Sequence, residues 1–285
     1  MQIVKTVSEI RTIIKEQKKQ GKKVGLVPTM GYLHDGHLSL MTEAKKSTDY
    51  VVVSIFVNPT QFGPNEDLAT YPRDLTRDAA LCEGVGVDLI FAPEVDEMYP
   101  VGYSTYVDCE GSITKQLCGA SRPSHFKGVT SVVAKLFNIV MPDVAFFGQK
   151  DAQQVAVIEK MVRELDFYIT IKACPIVRES DGLAMSSRNL YLNSEERQAA
   201  LVLSKALNHA KKAIDTGVTS TETLKDDMRR IIESSPHAVI DYVQIVDSRT
   251  LEGIDVLSDD FLVALAVKIG KTRLIDNIRQ RRETL

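Results

Sequence analysis

The chain has 285 residues, enough for about two domains whose cores need no disulfide staples. Charged residues make up 26% and hydrophobic ones 44%, and no apolar run approaches the ~18 residues a membrane helix needs, which excludes disordered, fibrous and membrane-spanning chains. A formal charge of −3 supplies no global attraction to nucleic acid or an anionic membrane, so small molecules are the expected partners.

The N-terminal stretch is interrupted by charge every few positions and lacks the apolar segment of a secretory leader, so a cytoplasmic location is expected. Thr6 to Glu9 has the form of a capping box, and Val7, Ile10, Ile13 and Ile14 recur at helical spacing, predicting a helix that runs to Gly21. VGLVP (24–28) and YVVVSIF (50–56) read as buried strands on either side of a Gly-containing loop and the helix LSLMTEAKK, which makes a βαβ unit. The alternation continues through a helix over RDLTRDAALCEG, strand 88–93, helix 127–140, strand 144–148, a helix from Asp151 to about Leu165 and strand 168–174. The fold class is therefore α/β, a Rossmann-like doubly wound parallel sheet, followed by a second, smaller α+β domain.

Pro175 and the polar stretch 178–189 interrupt this rhythm, which places the expected domains at 1–176 and 177–285. The second reads as helices at about 194–215 and 220–233 and strands at 241–247, 261–267 and 272–278, the last two spaced for a hairpin. The closing RQRRETL reads as a frayed charged tail. Cys82, Cys109, Cys118 and Cys174 form no CxxC pair or zinc spacing and are expected to be reduced packing residues.

The sharpest local feature is PTMGYLHDGH (28–37), between the first sheet strand and its helix. In an open parallel sheet this is where ligands bind. His34 and His37 fall at or before a helix N-terminus, where free amides and the helix dipole favour phosphate, and Gly36 allows close backbone approach. A metal pair would need a third ligand, and only Asp35 is at hand. FFGQKDAQQ (146–154) places Lys150 and Asp151 at another strand end, with Gln153 and Gln154 available to orient a substrate. FVNPTQF (56–62) offers Asn58 and Gln61, and GLAMSSRN (182–189) forms a mobile loop rich in hydrogen-bond donors.

The chain has neither GxGxxG nor GxxxxGK[ST], so dinucleotide-dependent dehydrogenase and P-loop kinase chemistry are not indicated. A His-Gly-His loop with a distant Ser-Ser-Arg loop suits attack on the α-phosphate of a nucleotide, with pyrophosphate leaving.

PTMGYLHDGH, FVNPTQF, RPSHFKGV, FFGQKDAQQ and GLAMSSRNLYL, in this order, resemble the pantothenate synthetase (pantoate–β-alanine ligase) family over nearly the whole chain. The first and last motifs are also similar to the HIGH and KMSKS elements of nucleotidyltransferases and class I aminoacyl-tRNA synthetases. The resemblance implies a two-step ligase: pantoate and ATP form pantoyl adenylate and pyrophosphate, and β-alanine then yields pantothenate and AMP.

By the same resemblance, Met30, Gly31, His34, Gly36 and His37 hold ATP, with His37 the assigned proton donor, and Gly148, Lys150, Asp151, Val177, Met185, Ser186, Ser187 and Arg188 complete the nucleotide site. Catalysis falls to His34, His37, Lys150, Ser186, Ser187 and Arg188. Gln61 and Gln154 would hold pantoate, with Asn58 and Arg122 nearby. Mg2+ would ride on the triphosphate, with Asp78 the one protein ligand suggested, and a homodimer is implied. Arg77 and Gln149 depart from the family, where acidic residues are common. Two other classes share features: a small nucleotidyltransferase acting on a phosphorylated alcohol, and a synthetase-like RNA-binding module, which a −3 chain of this length disfavours.

Overall fold

A computed structural model describes residues 1–64 and 66–281. In chain order the elements are β1 (Gln2–Val4), α1 (Val7–Lys19), β2 (Val24–Thr29), α2 (Asp35–Ser47), β3 (Tyr50–Ile55), α3 (Leu75–Val85), β4 (Leu89–Phe91) and the short helices α4 (Val95–Met98), α5 (Ser112–Lys115) and α6 (Cys118–Ser121). They continue with α7 (His125–Val140), β5 (Val144–Gly148), α8 (Ala152–Glu164), β6 (Thr170–Cys174), α9 (Ser194–Ala199), α10 (Leu201–Asp215), α11 (Thr221–Glu233), β7 (Ala238–Asp247), β8 (Asp260–Ile269) and β9 (Thr272–Arg281). The chain divides into two compact units. One comprises Met1–Cys109, Arg122–Gln149 and Val157–Pro175, and the other Glu110–Ser121, Lys150–Ala156 and everything from Ile176 onward.

In the first unit six parallel strands run in the order β1-β4-β3-β2-β5-β6. Helices on a parallel sheet bury both faces of its strands, which is why Tyr50–Ser54 is buried without alternation. The predicted capping box starts α1: Thr6 Oγ1 accepts the Glu9 amide at 3.3 Å, while the Thr6 amide donates to Glu9 Oε2 at 3.1 Å, and Ile10 and Ile14 bury its apolar stripe. The sequence reading has no counterpart of β1. Only Val4 of its three residues is buried, too short a pattern to show a period. From β2 the chain winds outward through β3 and β4 on one side, then through β5 and β6 on the other, so the topological switch point lies at the ends of β2 and β5.

The second unit packs α10 and α11 on the antiparallel sheet β7-β8-β9. Its core includes Leu203, Leu207, Met228, Ile245, Phe261 and Val263. The helix expected at 194–215 is interrupted at Ala200 and becomes α9 and α10. The expectation of a frayed tail from Arg279 is corrected: β9 pairs with β8 as far as Arg281, and Arg279 reaches Asp260 through two hydrogen bonds of 3.0 and 2.8 Å. Residues 282–285 of that tail lie outside the described residues. All four cysteines are buried and outside any disulfide, as expected of reduced packing residues. Among the described residues no helix is long and apolar enough to cross a membrane.

Candidate active site

The loop after β2 reaches the switch point and is shaped by two devices. At its start Gly31 has φ +82° and Tyr32 φ +49°, two consecutive left-handed residues. An added Cβ at Gly31 would lie 3.0 Å from both Asp78 Oδ2 and Ile55 Cγ2, so this position is closed to other residues by conformation and by space. Asp78, fully buried on α3, accepts the Tyr32 amide at 2.7 Å and the Leu33 amide at 2.8 Å and so stabilises this backbone. Burial pushes the Asp78 carboxyl above its usual range, although the two amides and Arg77 oppose the rise.

At the end of the loop, His34 is the N-cap of α2 and His37 its third residue. Each caps the other's backbone. His34 Nδ1 accepts the Gly36 amide at 3.2 Å, and His37 Nδ1 accepts the His34 amide at 3.3 Å. The rings lie 4.0 Å apart between centroids. Acceptance at Nδ1 assigns the proton of each neutral ring to Nε2, which makes both side chains donors there. The sequence reading expected free amides at this terminus, and the structure corrects it: the Gly36 amide is taken by His34 and the His37 amide by the His34 carbonyl at 2.7 Å. What this cap can offer an anion is therefore imidazole N–H groups and the helix dipole.

A second loop of the same unit presents an amide. Asn58, 1% exposed, donates to Gln61 Oε1 at 3.0 Å and to the Gly128 carbonyl at 3.1 Å, and its Oδ1 accepts from Thr60 Oγ1 at 2.9 Å and Tyr99 Oη at 2.8 Å. Both protons and both lone pairs of this amide are then occupied, so Asn58 orients Gln61 and has nothing left for a substrate. Burial pushes the Tyr99 hydroxyl up to about 12, which keeps it a donor. Gln61 Nε2 lies 3.2 Å from Met30 Sδ, and this contact joins the two loops. Arg122 grips Glu66 with two bonds of 2.6 Å and the Gln61 carbonyl at 3.2 Å, so its charge is already neutralised. His125 Nδ1 also sits 2.9 Å from that carbonyl.

In the second unit, Met185 donates to the Val177 carbonyl at 3.0 Å, and Arg178 pairs with Ala184 in an antiparallel bridge. The segment expected as a mobile loop is thus a hydrogen-bonded hairpin. It leads into a 3-10 turn at Ser187–Tyr191, capped by Ser186 Oγ accepting the Arg188 amide at 3.3 Å. Lys150 and Ser186 line the same small cleft. Gln153 is spent on structure: it accepts the Cys118 amide at 2.9 Å and donates to the Ile113 and Gln116 carbonyls at 2.9 and 2.7 Å. Gln154, next to it and half-buried, takes no part in that network.

The family model described as pantoate-beta-alanine ligase matches residues 2–279. The chain belongs to this family. It is 58% identical over 278 residues to a pantothenate synthetase of Acetivibrio thermocellus, covering 98% of this chain and 99% of the relative, and 59% identical to one of Thermoanaerobacter, covering 98% of each. The crystal structure of the Thermus thermophilus pantothenate synthetase is similar with a TM-score of 0.93 at 45% identity, covering 98% of this chain and 99% of that one. The Francisella tularensis pantoate-beta-alanine ligase, crystallised with β,γ-ATP and β-alanine, gives a TM-score of 0.80 at 36% identity over 98% and 97% of the two chains.

Within the first unit, Met30, Gly31 and His34 lie in the loop after β2 and Gly36 and His37 in the first turn of α2 that follows it, and Gln61 is linked to the loop through Met30. Gly148 ends β5 at the switch point, with open space where a side chain would be. Within the second unit, Lys150 and Asp151 precede α8, and Val177 and Met185–Arg188 belong to the hairpin and its turn. Asp78 does not suit the magnesium role suggested for it, because each of its oxygens already accepts an amide in a closed pocket. Sequence reasoning gave no role to Tyr99 or His125. His125 lies three residues beyond Arg122 in RPSHFKGV, a spacing that brings both to the Gln61 carbonyl as α7 begins.

Proposed function

We infer that this protein condenses pantoate with β-alanine at the expense of ATP, by way of pantoyl adenylate. The observation that carries the reading is the paired-histidine cap at the switch point, joined through Met30 to an amide held in one orientation by Asn58. A carboxylate is a poor electrophile toward an amine and first needs a better leaving group. In the first step a pantoate carboxylate oxygen bonds to the α-phosphorus and the bond to pyrophosphate breaks. In the second, the β-alanine amine bonds to the acyl carbon, AMP departs with the electron pair, and the amine loses a proton.

The His34 and His37 donors, together with Lys150, Ser186, Ser187 and Arg188 of the second unit, are assigned to the charge that develops on the phosphates. Gln61 retains one amide proton and one lone pair beyond its bonds to Met30 and Asn58, enough to orient pantoate, and Gln154 is assigned the same substrate. Magnesium, which keeps several waters and takes few protein ligands, is assigned to the triphosphate of ATP, and no protein ligand is assigned to it. Homodimer assembly belongs to the same reading and is supported by the family resemblance.

The adenylate order is tested by isotope exchange. Labelled pyrophosphate should enter ATP when pantoate and magnesium are present and β-alanine is absent, and adding β-alanine should release AMP. An absolute requirement of exchange for β-alanine, or release of ADP and phosphate, would replace the adenylate with an acyl phosphate or a concerted path.

A further inference from the structure

β9 carries two consecutive polar residues, Asp276 and Asn277, between Ile275 and Ile278, and they are only 2% and 3% exposed. Successive strand residues point to opposite faces, so the two side chains leave the strand in different directions. Asp276 receives a two-pronged ion pair from Arg178, with Nη1 to Oδ2 at 2.7 Å and Nη2 to Oδ1 at 2.9 Å. Arg178 Nη1 also donates to the Gly182 carbonyl at 3.0 Å, so this one guanidinium spans the hairpin from its first strand to its turn. Asn277 donates from Nδ2 to the Lys150 carbonyl at 2.9 Å. Lys150, Ser186 and Asp276 line a common cleft.

A buried ion pair is weak evidence of stabilisation, because desolvating both charges offsets their attraction and apolar residues of similar volume would serve as well. Fixed geometry is what such a pair supplies that apolar packing does not. Here the geometry concerns Lys150 and the hairpin ending in Met185–Arg188, the two elements of this unit assigned to the nucleotide. Resting on the ligase reading, we propose that Asp276 and Asn277 are positioning residues for adenylation: one rigid strand holds the hairpin through Arg178 and Lys150 through its carbonyl, setting the two in register. The second chemical step begins after pyrophosphate has left and has less phosphate charge to neutralise, so it depends less on this register.

The test compares half-reactions in the full-length protein. Asn277→Ala should lower pantoate-dependent pyrophosphate exchange about tenfold to a hundredfold, the scale on which a misplacement of about 1 Å acts, through kcat more than through the KM for pantoate. The same variant should convert preformed pantoyl adenylate and β-alanine to product within about threefold of the unaltered protein, since that step lacks the departing pyrophosphate. In a Lys150→Ala background, adding Asn277→Ala should lower exchange by less than about twofold, because a residue that works through Lys150 has nothing left to position.

Asp276→Asn leaves Arg178 without its counter-charge and risks misfolding. The double variant Arg178→Gln with Asp276→Asn removes both charges, and it should fold and show the same selective loss of exchange. Equal loss in both half-reactions, or full additivity with Lys150→Ala, would reduce the pair to a structural role and overturn the proposal. Normal exchange by Asn277→Ala would overturn it while leaving the ligase reading intact. Absence of exchange in the unaltered protein would remove the adenylate reading and the proposal with it.

Discussion

Two loops of the first unit face one another through Met30 and Gln61, yet they are held in opposite ways. The histidine end of the first is built from residues three apart, His34 and His37, each capping the other's backbone. The Asn58–Gln61 turn takes its shape from partners far along the chain, Tyr99, Arg122, His125 and the Gly128 carbonyl. The histidine pair can thus be altered with little consequence for folding, whereas the amide turn inherits every disturbance of α7.

The largest effect expected from this contrast is kinetic. His37→Ala should fold normally and lose about 10²–10³-fold in turnover, the scale of removing one preorganised donor from a transition state. Circular dichroism checks the fold and steady-state assay the rate. Near-normal turnover with intact folding would remove His37 from the mechanism, and a large loss of stability would break the comparison from the other side.

The amide turn should respond through stability first. A Cβ added at Gly128 would sit 2.3 Å from the Thr60 carbonyl oxygen and 2.6 Å from the Gln61 Cα, backbone atoms that cannot swing away. Gly128→Ala should therefore destabilise by about 1–3 kcal/mol, the usual cost of overpacking, and also raise the KM for pantoate as Gln61 is displaced. Denaturant melts and steady-state kinetics measure the two effects. Unchanged melting would mean that α7 can draw back from the turn.

The smallest effect is a pH dependence. Burial raises the Glu66 carboxyl, but the hydrogen bonds and charge of Arg122 outweigh it and hold the group below its ordinary range. A carboxyl depressed by folding stabilises above its unfolded value and loses that contribution as pH falls through the folded one. Unaltered protein should therefore be more stable than Glu66→Gln at neutral pH, by on the order of 1 kcal/mol for a pair that is only partly buried. Melting series between about pH 3 and 6 should show the difference shrinking with acid, across the range in which glutamates titrate. A constant difference would show that Arg122 holds the turn through the Gln61 carbonyl without help from Glu66.

The same division between near and far partners separates what could be read in the sequence from what could not. The capping box at Thr6–Glu9, the buried parallel strands and the loops at their ends are local patterns, because a helix period, a strand run or a cap involves residues a few positions apart. They were sufficient to establish the α/β class and to point to His34, His37, Lys150 and the 182–189 segment. The tertiary structure decided how polar groups are shared out. Asn58 reads as a substrate ligand until Tyr99 and Gly128 are seen to occupy it, and Gln153 and Gln154 look alike until the Cys118 amide is seen to claim the first. Asp78 reads as a metal ligand until the Tyr32 and Leu33 amides are found on its oxygens. Asp276 and Asn277 are silent until β9 buries them beside Arg178 and Lys150. A residue type states which hydrogen bonds it is able to make, but which of them remain for a substrate depends on neighbours supplied by distant segments of the chain.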